Sequence, residues 1–447
     1  MVFFHPYFKH NVGQRLNVKQ SVSPNAKKRR GKKQPFTFTF SPSGPITLAL
    51  SSANVTINWG DASSEKVTGD KNVTHAYVIP DNMTVSISGT AKSIKFTTPG
   101  YVAVTSWGTL GFTSFANMFY NVTVTNVPTT IPETVKDMTG MFSKSVFNGD
   151  ISNWNVSKVT NMTAMFAESS FNTDISNWDV SKVTNMTAMF FKSAFKGSIY
   201  KWNVSNVTTM TGMFANSTFN GDISIWNVGK VTDMSAMFSE TTNFNQDISK
   251  WNVSQVTNMS SMFNGAEKFN QDISSWKVDN VIDMSNMFAE TTFTQNISPW
   301  TVSKVTNMSG MFVNSIFNAD ISNWNVSNVT NMSCMFSGSL FNKDISNWIV
   351  SKVTKMDDMF TGSVFDQDIS KWNVSNVTTM SKMFSASAFN QNISTWIVSK
   401  VTDMSSMFNG AVKFNQNLSG WNISSVTAYD SFGTNSALTA ANLPKWK

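Results

Sequence analysis

Residues 154–178 read WNVSKVTNMTAMFAESSFNTDISNW, and close copies of this stretch return along most of the chain. Tryptophan recurs at 154, 178, 202, 226, 251, 276, 300, 324, 348, 372, 396 and 421, always at intervals of 24 or 25 residues. Twelve Met-Phe pairs keep the same beat, from Met141-Phe142 to Met407-Phe408. Twelve more methionines stand three places earlier, from Met138 to Met404, so 24 of the 27 methionines belong to two ladders. Self-similarity at one fixed period of this length marks an array of stacked units.

Within one copy the apolar residues are Trp154, Val156, Val159, Met162, Met165, Phe166, Phe171 and Ile175. Trp154 and Val156 are two apart, the strand period. Met162, Met165 and Phe166 are spaced i, i+3, i+4, the helical period. Each coil is therefore expected to hold a short strand around Trp-x-Val and a turn or two of helix around Met-x-x-Met-Phe, with Asn-, Ser- and Gly-rich loops between them. The longer copies gain their residue between Met-Phe and the next Phe: compare Phe166 to Phe171 with Phe238 to Phe244. One coil has two open faces and cannot bury its core alone, so neighbours must stack as a one-dimensional array. The expected fold class is a repeat solenoid of short parallel strands and short helical turns, preceded by a small all-β sandwich-like domain.

The run Phe-Asn-x-Asp-Ile-Ser-x-Trp-Asn-Val-Ser-x-Val-Thr-x-Met-x-x-Met-Phe resembles the BspA-like leucine-rich repeat family, in the variant found in mycoplasma surface lipoproteins, bacterial cell-surface proteins and some large DNA viruses. The resemblance covers roughly residues 136–427, as twelve copies. It implies that Ile175, Trp178 and Val180 fill strand-associated core positions. It also implies surface display with adhesion or protein binding, and no catalytic residues.

The flanks differ in texture. Phe36-Thr-Phe-Thr-Phe40 and Val55-Thr-Ile-Asn-Trp59 alternate as strands do. Trp59-Gly60-Asp61, His75-Ala-Tyr77 and Val85-Ser-Ile-Ser-Gly89 resemble a small PKD-like sandwich over residues 35–105, with Ala62 where that resemblance has Gly. Residues 106–135, with Met118-Phe119 in the Met-Phe place, read as a degenerate capping repeat, and residues 428–447 as an exit cap. Residues 1–34 form a basic arm, expected to be disordered, with nine Lys or Arg and no acidic residue. Of the formal net charge of +7, none resides in the remainder, which has 25 basic against 27 acidic residues.

The arm residues Lys27, Lys28, Arg29, Arg30, Lys32 and Lys33 suit an acidic partner, nucleic acid or protein; a solvated tail is the plain alternative. No aromatic residue interleaves with them, which argues against stacking on single-stranded bases. The start of the chain lacks the roughly 7–15-residue apolar run of a secretory signal. No stretch approaches the ~20 apolar residues of a membrane span. The single cysteine, Cys334, excludes a disulfide framework within the chain. It stands between core methionines where most other copies have Ala, Gly or Ser, and reads as a small packed residue.

An acidic ladder runs through Asp150, Asp174, Asp222, Asp247, Asp272, Asp320, Asp344 and Asp368. Stacked carboxylates suit Ca²⁺ or, as a pair, glycoside hydrolysis. The same place holds Asn296, Asn392, Asn417 and Ser198, which share with Asp the ability to cap a turn and do not share its charge. Turn-capping is therefore preferred, and no metal, cofactor or catalytic residue is expected. The methionine ladders read as polarisable core in preference to a Cu(I) site. The histidines, His5, His10 and His75, lie outside the repeats.

The places beside each inward Trp should point outward. Lys201, Ile225, Lys250 and Lys371 precede a Trp; Lys277, Ile349 and Ile397 follow one. After Trp, Lys277, Ile349 and Ile397 depart from the prevailing Asn; all seven are the candidate binding residues, with neutral surface variation as the alternative. The expected function is non-catalytic recognition or adhesion, by protein or glycan binding, at a cell or virion surface. A structural virion component anchored by the arm is the second reading.

Overall fold

The computed structural model describes residues 33–41, 44–78, 81–98 and 100–446. The N-terminal part is a sheet. Its strands are β1 (Phe36–Ser41), β2 (Ile46–Asn58), β3 (Ser64–His75), β4 (Met83–Thr90), β5 (Ser93–Phe96), β6 (Tyr101–Ser106) and β7 (Thr123–Asn126). All seven belong to one hydrogen-bonded sheet in the order β3-β2-β4-β1-β6-β7, with β5 also on β2. The expected pair of packed sheets is thus a single sheet. The reason is the length of β2, whose register shifts between Leu50 and Ala53. Ser52 has φ 48 at that shift, and a bulge bends a strand. The first half of β2 pairs with β5 and the second half with β4. Alternate side chains, such as Phe36, Phe38, Phe40, Leu48 and Ile57, form the buried face.

The Trp-Gly-Asp turn is locked from both sides. Asp61 Oδ2 lies 2.7 Å from His75 Nε2, and the indole of Trp59 stacks on the His75 ring at 4.7 Å. The Tyr77 hydroxyl donates to the Trp59 carbonyl at 3.0 Å. Ala62 takes φ 70, the left-handed conformation that Gly adopts freely, so the turn survives its replacement.

The sheet continues into the repeats. β7 pairs in parallel with β6, and the amide of Phe96 donates to the carbonyl of Met118 at 3.0 Å. The ring of Phe96 stacks on Phe119, and Phe119 on Phe142. One hydrophobic core therefore runs from Phe36 to Phe432.

Among the described residues, fourteen coils lie one on the next, joined by thirteen parallel bridges from Ser114 to Ala428. Both local expectations for the coil are corrected. The bridge falls on the residue before each first Met, such as Asn161 to Asn185, and not at Trp-x-Val. Trp178 and Val180 are buried as expected, but each sits beside a turn: the Trp178 amide bonds Ile175, and the Val183 amide bonds Val180.

Met-x-x-Met-Phe is not helical either. Its amides alternate between two kinds of partner. Met165, Ala167 and Ser169 bond back three residues, to Met162, Ala164 and Phe166. Met162, Ala164, Phe166 and Glu168 instead donate to Asn185, Thr187, Met189 and Phe191 of the next coil. Ala164 (φ 52) and Glu168 (φ 54) are left-handed. A left-handed residue at every fourth place tips alternate N–H groups out along the stack, which an α-helix cannot do. The result is a run of β-turns that hydrogen-bonds like a strand. Two left-handed positions recur in the other coils, for example Ala188 and Lys192, or Ala236 and Glu240.

Buried hydroxyls explain the two coil lengths. In the 24-residue coils the amides of Phe171, Phe195, Phe219 and Phe341 bond the buried Oγ of Ser169, Ser193, Ser217 and Ser339. The 25-residue coils close a full turn instead: Phe244, Phe269 and Phe414 bond the carbonyls of Thr241, Ala266 and Ala411 at 3.0 Å. The extra residue supplies a backbone acceptor, so Ala is tolerated where Ser otherwise stands.

Candidate binding face

The side of each coil that carries Trp-x-Val is a short extended piece between two turns. Trp226 and Trp251 are only 3% exposed, whereas the residues on either side of each Trp are exposed. All seven candidate residues lie on this face: Lys201, Ile225, Lys250, Lys277, Ile349, Lys371 and Ile397. Ile225, Ile349 and Ile397 are 57–62% exposed. Of the arm, only Lys33 falls among the described residues, and it is exposed; Lys27, Lys28, Arg29, Arg30 and Lys32 lie outside them.

The structure brings two candidates together. Ile225 and Lys250 border a shallow hollow of about 400 Å³ between neighbouring coils, with Trp226, Asn227, Asp247 and Asn252. Lys371 borders a second hollow with Asp368, Gln391, Asn392 and Thr395. Lys201, Lys277, Ile349 and Ile397 stand outside both. Asn227, Asp247 and Asn252 were not singled out as binding residues by sequence.

The acidic ladder is a row of turn caps. An Oδ1 of Asp150, Asp174, Asp222, Asp247, Asp272, Asp320, Asp344 and Asp368 accepts the amide of the Ser two residues on, at 2.8–2.9 Å. Asn296, Asn392 and Asn417 do the same. The Ser amide, then the Ser hydroxyl, holds Asp150, Asp174, Asp272, Asp320, Asp344 and Asp368 below the usual carboxylate range. For Asp247 the hydroxyl of Ser249 comes first and its amide second. A carboxylate held ionised is a poor proton donor, unlike the raised-pKa acid that glycoside hydrolysis uses. Among the described residues no three His, Cys, Asp or Glu converge on a possible metal position.

Two further rows account for the chain's wealth of Asn. Asn155, Asn203, Asn252, Asn325 and Asn373 cap the turn after Trp. Asn148, Asn172, Asn220, Asn245 and Asn318 each accept an amide from the following coil. Cys334 occupies a left-handed place at φ 59 and is half-buried. Burial, and then Asp358 and Asp357, push its thiol up, away from the reactive thiolate.

The family model described as "Mycoplasma protein of unknown function, DUF285" matches residues 113–220, 191–293, 216–315, 283–385 and 340–446, which together span the coils. The chain belongs to this family. No curated protein and no solved structure matches it. The DUF285 matches begin at residue 113, within the first coil, and leave β1 to β6 outside. The family description assigns no function, so the roles of residues in this DUF285 chain rest on its own geometry. Among the described residues no helix is long and apolar enough to cross a membrane.

Proposed function

We propose that this DUF285 chain is a non-catalytic recognition protein whose coils form a leucine-rich-repeat-like solenoid, of BspA-like type, displayed at a surface. The observation that carries this reading is the contrast between adjacent places on one face. Twelve successive coils keep Trp inward, from Trp154 to Trp421, while the outward residue before it is variously Asn, Lys, Ile, Ser, Pro, Thr or Gly. An invariant frame with a variable exterior is how a repeat array presents different contacts at successive levels. The committed, ionised Asp row argues against hydrolysis. The β1–β6 sheet, with its Trp59, Asp61, His75 and Tyr77 lock, serves as a PKD-like entry domain.

The test is an array of glycans and extracellular-type proteins probed with the full chain. Saturable binding to at least one class is the expected result; its absence from all of them counts against recognition. A polysaccharide turnover lost in the Asp247→Asn, Asp272→Asn double variant would overturn the non-enzymatic reading.

The charge of residues 1–34 favours one second reading, a structural or virion component anchored to an acidic partner. There, deleting residues 1–34 abolishes association; if the coils bind, association survives the deletion.

A further inference from the structure

Around Trp226 stand two residues that no other of the twelve repeats has at the same place, Ile225 and Gly229, and both lie at or beside one hollow. Ile225 stands before Trp226 where Asn153, Asn177, Asn323 and Asn347 stand in other coils. Gly229 stands three places after it, where the prevailing residue is Ser, as at Ser157, Ser205 and Ser254. In the coil of Trp154 that Ser donates its hydroxyl to the neighbouring Asn, Ser157 Oγ to Asn155 Oδ1 at 2.7 Å. With Gly229 the hydroxyl is gone. A Cβ on Gly229 would sit 3.2 Å from Asn227 Oδ1 and 3.4 Å from Asn252 Nδ2. A side chain at this place would therefore press on two amides that both line the hollow, and glycine leaves them undisturbed.

The hydrogen-bonding capacity that remains there has a definite character. Asn227 Oδ1 accepts the Gly229 amide at 3.1 Å, and Asn252 Oδ1 accepts the Ser254 amide at 3.1 Å. Their Nδ2 groups have no acceptor among the described residues. Lys250 forms no ion pair among the described residues, and Asp247 keeps acceptor capacity beyond the Ser249 amide. The hollow thus offers donors and an acceptor together. One positive and one negative group, three residues apart, leave it without net charge. The Ile225 side chain and the edge of Trp226 add an apolar wall. A ligand that both donates and accepts, carries no net charge and has an apolar flank answers all of these.

We infer that the hollow formed by Ile225, Trp226, Asn227, Asp247, Lys250 and Asn252 binds one neutral sugar unit of a glycan. Ring hydroxyls meet the Asn227 and Asn252 amides, Lys250 and Asp247, and the C–H face of the ring lies on Ile225. A volume of about 400 Å³ falls within the ~300–1,000 Å³ of small-molecule sites. The inference rests on the recognition reading and narrows it to one ligand class and one coil.

The test uses the full chain and neutral tetrasaccharides of N-acetylglucosamine, glucose, mannose and galactose, followed by saturation-transfer NMR and titration. The variants restore what other coils already carry, Ile225→Asn and Gly229→Ser, so the coil fold is kept; Val412→Asn, at an exposed place outside the candidate face, is the control. At least one tetrasaccharide should receive saturation, each hollow variant should weaken its binding about tenfold, roughly 1.4 kcal/mol, and Val412→Asn should not. No saturation transfer to any of the four overturns the sugar site, while protein binding on the array would still uphold recognition. Sugar binding unchanged in both hollow variants overturns the assignment to this hollow and leaves recognition standing.

Discussion

The indole N–H of Trp251 donates to the carbonyl of Ile223, 28 residues earlier, at 3.1 Å in a buried position. The same bond recurs from Trp178 to Ile151 and from Trp396 to Ile369. Tryptophan is thus more than bulk in these coils. It closes a carbonyl on the coil before it, a task no other apolar side chain performs. Trp251→Phe should lose that bond while the Ile223 carbonyl keeps the Trp226 amide, at a cost of about 1–3 kcal/mol for the lost hydrogen bond and the lost volume. Urea unfolding followed by circular dichroism measures it. An unchanged midpoint would mean the bond carries no stability.

The buried hydroxyl at Ser193 accepts the Phe195 amide at 3.3 Å in a 24-residue coil. Ser193→Ala should leave that amide unpaired and cost about 1–3 kcal/mol. Ala266→Ser, in a 25-residue coil where Phe269 already bonds a backbone carbonyl, should give no comparable gain. Equal effects of the two substitutions, read as shifts of the unfolding midpoint, would contradict this account of the two coil lengths.

Ala236 is left-handed at φ 52. An L-residue pays about 1–2 kcal/mol for that conformation, part of which glycine recovers. Ala236→Gly should be neutral or stabilising by up to about 1 kcal/mol, and Ala236→Val should destabilise. Loss of stability in Ala236→Gly on thermal unfolding would argue for a helical conformation there.

Asp61 is held at about 2, against an ordinary 3.8, first by the hydroxyl of Ser63 and then by His75. A depressed carboxylate contributes stability that is complete above its unfolded pKa and fades as pH falls through its folded one. The contribution is therefore lost between about pH 4 and 2. Carboxyl-detected NMR should place the Asp61 midpoint near 2. A midpoint near 3.8 would mean the turn is not locked.

The repeat itself was plain in the sequence because Trp154, Trp178 and their counterparts must face the same way at every level. The interior of the coil was less plain. Met162, Met165 and Phe166 have helical spacing, but successive turns with a left-handed residue at Ala164 bring the same three side chains inward. Nothing in an Ala, Lys or Glu announces a left-handed conformation, since the stack imposes it against local preference. Trp-x-Val likewise alternates as a strand does, yet flanking turns leave too few residues for a ladder. The seven outward candidates lie on the exposed face. Gly229 was not singled out by sequence, although a Gly in a row of Ser was its visible sign, and the Asn227 and Asn252 amides beside it read as ordinary caps.

The central claim is that the aromatic rings and their indole N–H groups are sealed between stacked coils. Hydrogen exchange of the indole N–H signals in ¹⁵N-labelled protein addresses it directly. The account predicts that the indoles from Trp178 to Trp396 exchange far more slowly than that of Trp446, which is only partly buried. Indoles in the repeats that exchange as fast as Trp446 would contradict it.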